Sequence, residues 1–199
     1  VMRALVVLPE GDMITLSFNN EAGRVKIMRR NYRGETISEI KIKGLPPELS
    51  QFSPYLMKYN KESLYFADPE ALAVVVTDLN GVFKRQYDLL TLLELQPKDR
   101  GDKLMTGFDV SGNGDILFTI SVLFEAYVVS PDGRLQRFGQ PGSLPGRFNL
   151  VKGITMDSRG DYLVADSLKG AVQVFDKKFN FLTIFGNWGG KPGTLIMRS

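Results

Sequence analysis

Short apolar stretches alternate with clusters of Gly, Asp, Asn and Pro along the whole chain, and the segment from Lys152 to Phe185 shows the pattern most clearly. Ile154 and Met156 alternate with polar neighbours, Tyr162-Leu163-Val164-Ala165 forms an apolar run, Val172, Val174 and Phe175 follow, and Phe181 to Phe185 closes the unit. Runs this short, with period-2 alternation and Gly or Asp at their ends, predict strands rather than helices. The segment therefore reads as four strands joined by tight turns.

The same unit recurs. Second strands are expected to open at Asp12, Ser63, Asp115 and Asp161, spaced by 51, 52 and 46 residues. The turn before each fourth strand falls at Gly34, Gly81, Gly133 and Phe179, spaced by 47, 52 and 46. A fixed period near fifty residues with four short strands per period is the signature of a propeller blade, because a sandwich does not repeat its connections. The expected fold is all-β, a β-propeller of four-stranded antiparallel blades at about 3–43, 54–88, 105–138 and 152–185, with 186–199 leading into a further blade. Helix is expected only as a turn near Leu89 to Leu95. The expectation is one propeller domain over 1–199, most simply a portion of a larger propeller whose open blade edges would favour association.

The stretch FGQPGSLPGRFNLVKGITMDSRGDYLVADSLKGAVQVF resembles an NHL repeat: an FG ending one blade, a Gly/Pro-rich connection with GxF, a GI strand, then DxxGxxxVADS and VQVF. FGNWGGKPGTL begins the same connection again, with Pro192-Gly193-Thr194-Leu195 matching Pro145-Gly146-Arg147-Phe148 at a distance of 47. The fourth repeat carries the resemblance; the first two follow it only in pattern. The resemblance implies a six-bladed propeller, and from bacterial relatives with VADS-type repeats a periplasmic or extracellular setting. It implies a binding scaffold first, with two alternatives: a lyase or hydrolase using His-bound metal, and a propeller that binds RNA through a basic face.

Composition then narrows the chemistry. The balance of 25 Lys and Arg against 22 Asp and Glu gives +3, far from a dense nucleic-acid-binding charge. Cysteine and histidine are both absent, which removes thiolate ligands, a Cys nucleophile and the commonest general base from these residues. No apolar run approaches the roughly 18 residues needed to span a bilayer. No cofactor, metal site or catalytic residue is assigned.

Candidate sites follow from departures within the repeat. Asp12, Asp115 and Asp161 are expected to stabilise Gly-Asp turns through backbone bonds, and Asp68 and Asp166 to fix the turn after the second strand. Gly112-Asn113-Gly114 is a turn rather than a phosphate loop, because no helix follows. Asp109 to Asp115 lacks the remaining ligands of a calcium loop. Arg24, Lys26, Arg29, Arg30 and Arg33, with Tyr32, form a basic third strand and hairpin, expected to be a solvated edge. The turn Ser121-Val122-Leu123-Phe124-Glu125 places large apolar residues where other repeats have polar ones, and Trp188 lies in a connection expected on the same face. Leu123, Phe124 and Trp188, with the cations Arg147 and Lys169, make up the candidate binding set. The alternative for Leu123 and Phe124 is packing beneath the insertion at Leu89 to Leu95. The expected partner is a protein or peptide, then a small ligand, with nucleic acid disfavoured. On this reading Phe124→Ser weakens partner capture and leaves stability nearly unchanged.

Overall fold

The structure is a computed structural model that describes residues 1–19, 23–96 and 101–186. The chain divides into two compact units, Val1–Gln96 and Pro97–Ser199. The first holds β1 (Met2–Val7), β2 (Met13–Asn19), β3 (Arg24–Arg30) and β4 (Thr36–Ile40) in one sheet, and β5 (Leu56–Asn60), β6 (Ser63–Asp68), β7 (Ala73–Asp78) and β8 (Phe83–Asp88) in another. One turn of helix, α1 (Leu89–Leu92), follows, capped by the Asp88 carboxylate, which accepts from the Thr91 N–H and hydroxyl. The second unit holds β9 (Met105–Val110), β10 (Ile116–Ile120), β11 (Glu125–Val129) and β12 (Leu135–Phe138), then β13 (Val151–Met156), β14 (Tyr162–Asp166), β15 (Ala171–Phe175) and β16 (Phe181–Phe185). Every sheet is a four-stranded antiparallel meander in sequence order, the blade expected from the repeat.

Within each unit the core lies between its two sheets. In the first unit Ile14, Leu16, Ile27 and Ile40 meet Met57, Leu64 and Phe66. In the second, Leu117, Ala126, Val128 and Phe138 meet Ile154, Tyr162, Val164 and Phe175. Period-2 alternation puts these side chains on one sheet face, so the pattern that predicts strands also supplies the packing surface. The inner strands come close: a Cβ on Gly107 of β9 would lie 2.7 Å from the Gly153 Cα of β13, so only glycine lets these backbones meet.

Bulges recur as regularly as the turns. The pairing of first with second strands skips Arg3, Thr106 and Lys152, and that of third with fourth strands skips Ile37, Lys84 and Leu182. A bulge turns one extra side chain out of the ladder and bends the strand. Two of these residues bind the next sheet of their unit. Arg3 lies 4.4 Å from the ring centroids of both Phe18 and Tyr55 and donates to the Pro54 carbonyl, while Thr106 donates to the Val151 carbonyl at 3.1 Å.

The turns show which residues do the fixing. In the hairpin before β14 the Asp157 carboxylate accepts from the N–H groups of Arg159 and Asp161; before β10 the Ser111 hydroxyl accepts from Asn113 and Asp115. The Asx or Ser group thus stands four residues before the Gly-Asp aspartate, which corrects the role expected for Asp115 and Asp161. Asp12 instead pairs with Arg29 at 2.8 Å, and Asp161 faces Arg159 at 3.4 Å. Before the fourth strands Gly34, Gly81 and Gly133 have φ of 84–87°, and Phe179 takes the same left-handed role at 66°. That conformation costs a side chain roughly 1–2 kcal/mol. The Phe179 ring offsets the cost by stacking on Phe138, with centroids 4.7 Å apart and planes 7° from parallel, and by packing on Tyr162 at 5.3 Å.

Two expected outcomes test this account. Phe138 touches the rings of Phe148, Tyr162, Phe175 and Phe179, so Phe138→Ala should cost about 3–5 kcal/mol in urea unfolding; a cost below about 1 kcal/mol would remove the ring cluster from the core. The Asp161 N–H holds the Asp157 carboxyl below its ordinary range, and the Asn180 side-chain amide does the same for Asp176. Their contribution is therefore complete above the ordinary carboxylate value of about 4 and is lost as pH falls through the lowered values. Asparagine fills the same turn role at Asn31, so Asp157→Asn with Asp176→Asn should keep the turns and flatten the acid limb of a stability-against-pH curve. An acid limb identical to the parent's would sink the idea.

Candidate functional site

The connection from Phe138 to Val151 has no regular secondary structure, yet it is held at nearly every step. Asp166, 1% exposed, accepts from the N–H groups of Asn149 at 2.7 Å, Leu150 at 3.1 Å and Lys169 at 3.2 Å. Buried Gln173 accepts from the Gly146 N–H and donates to the Arg147 carbonyl. The Lys169 ammonium donates to the carbonyls of Ser143, Leu144 and Arg147 at 3.1, 2.8 and 2.8 Å. Partial burial draws its pKa below the ordinary lysine value, and the Asp166 carboxylate acts in the opposite direction. Charge-assisted bonds to backbone are among the stronger protein hydrogen bonds, and a loop held by so many is preorganised.

Asp166 thus fixes the turn after its strand, as expected, and also ties that turn to the incoming connection. Asp68 repeats the arrangement in the first unit, accepting from the N–H groups of Ser53, Glu70 and Ala71. The FG and GxF motifs have a steric cause here. A Cβ on Gly139 would sit 2.2 Å from the ring of fully buried Phe148, so the chain leaves β12 through a position that only glycine can occupy.

The β10–β11 turn leans on both ends of this connection. Its Ser121 hydroxyl donates to the Val151 carbonyl, and its Phe124 carbonyl lies 3.3 Å from the place a Gly139 Cβ would take. Phe124 has φ of 55°, the left-handed position filled by Gly170 in the next repeat, and its half-buried ring packs against the core of its unit. Leu123 is also half-buried. The side chains that stand out on these loops are Val122, Leu144 and Leu168, at 42, 63 and 59% exposure, and Arg147 is exposed as well.

The structure therefore brings Phe124, Arg147 and Lys169 to one loop cluster and adds Val122, Leu144 and Leu168, which sequence reasoning missed. Trp188 lies outside the described residues. The available signal was the position of each leucine at a turn tip between small or polar residues, as in Ser143-Leu144-Pro145 and Ser167-Leu168-Lys169.

Elsewhere several titratable groups are engaged. Arg29 pairs with Glu10 at 2.9 Å and Asp12 at 2.8 Å, Arg30 donates to the Gly34 carbonyl and Thr36, and Arg33 donates to the Tyr32 hydroxyl, so the basic hairpin is partly self-neutralised. Burial pushes the Tyr127 phenol far above its ordinary value, helped by its bond to Glu125. A cleft of about 270 Å³ is lined by Arg24, Ile27, Glu39, Lys41 and Pro54, just below the roughly 300–1,000 Å³ of ligand pockets. Among the described residues no group of three or more acidic, His or Cys side chains is placed to hold a metal ion, and no helix is long and apolar enough to cross a membrane.

Comparison with known proteins places this geometry in a fold. No protein-family model matches the chain. Protein brain tumor of Drosophila melanogaster is 28% identical over 82 residues, covering 37% of this chain and 8% of its own length. Virginiamycin B lyase from Staphylococcus aureus superposes with a TM-score of 0.60 at 17% identity, over 92% of this chain and 55% of its own. A His-to-Ala variant of that lyase, solved with quinupristin, is catalytically inactive. The WD40 β-propeller domain of Doa1 gives a TM-score of 0.54 at 17% identity, over 88% of this chain and 51% of its own. This chain spans about half the length of these solved structures and a small part of the curated relative. At such identities the likeness shows the fold alone: the chain has propeller-type blades, two in each unit.

The placement of Phe124 changes one expectation. Because its ring packs on the core, Phe124→Ser should lower the melting temperature by several degrees, and Phe124→Gly by less, since glycine releases the left-handed strain. Equal melting temperatures for Phe124→Ser and the parent protein would place the ring in solvent.

Proposed function

We propose that the chain is a non-enzymatic binding scaffold of the NHL-repeat type that holds a protein or peptide on the loop face of its second unit. The observation that carries this reading is the fastened connection at 139–150, whose Leu144 and Arg147 side chains are exposed and which Lys169 ties to the turn carrying exposed Leu168. A loop already ordered in the free protein loses little entropy on binding, and exposed apolar groups on it are suited to be anchors. The open parts of Leu123 and Phe124 extend the same surface. The lyase alternative needs His-bound metal, and none of the 199 residues is histidine, so that chemistry would rest on residues outside this sequence. The resemblance to bacterial VADS-type repeats carries the accompanying proposal of a periplasmic or extracellular setting.

The test is affinity capture from extracts of the source cells with the immobilised chain. Leu144→Ser combined with Leu168→Ser should reduce capture of a stoichiometric partner by an order of magnitude or more, given about 2 kcal/mol for a buried anchor, while the melting temperature stays within a few degrees. Capture unchanged by the double substitution would place the partner face elsewhere.

A further inference from the structure

We propose that this loop face takes a short extended peptide segment in which an acidic side chain sits beside a large apolar one, the acid on Arg147 and the apolar group between Leu144 and Leu168. This rests on the scaffold reading above and adds the chemistry of the partner. The first support is charge. Around the patch the described negative groups are already engaged: Asp166 is buried and accepts three backbone N–H groups, and Glu125 is held by the Tyr127 hydroxyl and faces Arg137 at 3.9 Å. Asp102, at the start of the unit, pairs with Lys103. Arg147 is exposed and makes no ion pair among the described residues, Lys152 at the start of β13 is exposed, and the half-buried Lys169 ammonium is bonded only to neutral carbonyls. Net positive charge with its local counter-charge consumed is complementary to an acidic partner.

The second support is the form of the cation and its surroundings. The Arg147 stem lies over Gly142, where an added Cβ would be 2.9 Å from its Cδ, so the guanidinium is carried on a packed stem. A guanidinium presents a planar fork that matches a carboxylate with two parallel bonds. The exposed apolar neighbours are aliphatic, Val122, Leu144 and Leu168. Single-stranded nucleic acid is held by rows of aromatic platforms, whereas Val122, Leu144 and Leu168 are aliphatic and a phosphate backbone would leave them uncovered. A peptide with a carboxylate next to a Leu, Ile or Phe side chain satisfies both features at once.

The experiment is selection of phage-displayed random dodecapeptides on the folded chain, followed by fluorescence anisotropy with the best synthetic peptide. The enriched peptides should carry Asp or Glu adjacent to large apolar residues. Replacing that acid by its amide should weaken binding by roughly tenfold, the effect expected for loss of a charge-assisted pair. Arg147→Met keeps the stem over Gly142 and should give a similar loss; Arg147→Glu should turn the selection toward basic peptides. Circular dichroism of each variant checks that the fold is retained. If neutral apolar peptides are enriched and their binding depends on Leu144 and Leu168 but not on Arg147, the acidic partner is overturned and the scaffold reading stands. If a uridine dodecamer displaces the peptide at matching concentration, the patch is an anion site for nucleic acid and the peptide proposal falls. If no peptide is enriched, or binding ignores all three residues, both readings fall together.

Discussion

A buried carboxylate that accepts backbone N–H groups from two separate segments is the constraint on which the loop architecture rests. Asp68 and Asp166 each end a second strand, and each binds both the turn that follows and the segment leading into the first strand of the same sheet. An ionised group in the interior is costly unless its lone pairs are used, and these oxygens are used. Removing the carboxylate would leave several part-buried backbone donors without their partners. The bond thus converts a Gly/Pro-rich connection, paired with itself through a bridge between Pro141 and Phe148, into an ordered part of the sheet end.

Around that constraint the second unit is filled with aromatic rings. Phe138, Phe148, Tyr162, Phe175, Phe179 and Phe181 form a continuous set of ring contacts between 4.7 and 6.3 Å. Two backbone conditions make it possible. Gly139 leaves room for the Phe148 ring against its α-carbon, and Phe179 accepts a left-handed conformation that its counterparts give to glycine. The strain at Phe179 is offset by the stacking of its own ring on Phe138, so the cluster and the turn depend on each other. The first unit closes the same junction differently, with Arg3 between two aromatic rings and bonded to the next sheet's entry.

A rigid frame with exposed groups on fastened loops binds without a large ordering cost, and this links packing to the proposed function. Lys169 and Gln173 contribute by saturating carbonyls and an N–H of the 143–147 segment, so that its side chains rather than its backbone face outward. Lys169, a candidate binding residue by sequence, holds the loop; Arg147, whose backbone is held by Lys169 and Gln173, is the exposed cation on which the proposed contact rests.

The local pattern by itself determined the strands, their grouping in fours and the period, because alternation of two and Gly/Asp turns are properties of neighbouring residues. The landmarks Gly34, Gly81, Gly133 and Phe179 all proved to be left-handed turn positions for the same reason. Tertiary structure decided what depends on contacts far apart in the chain. The bulges at Arg3, Thr106 and Lys152 leave no mark in composition, since they reflect how a strand bends against its neighbours. The turn-fixing role moved from Asp161 to Asp157 because only backbone geometry shows which side chain reaches the N–H groups. Phe124 read as a loop-tip anchor, whereas its left-handed backbone turns much of the ring toward the core, and Leu144 and Leu168, ordinary residues in ordinary turns, stand in solvent. Whether an apolar side chain on a turn points inward or outward is set by the loop packed beneath it, and here that loop is held by a carboxylate 16 or 17 residues further along the chain.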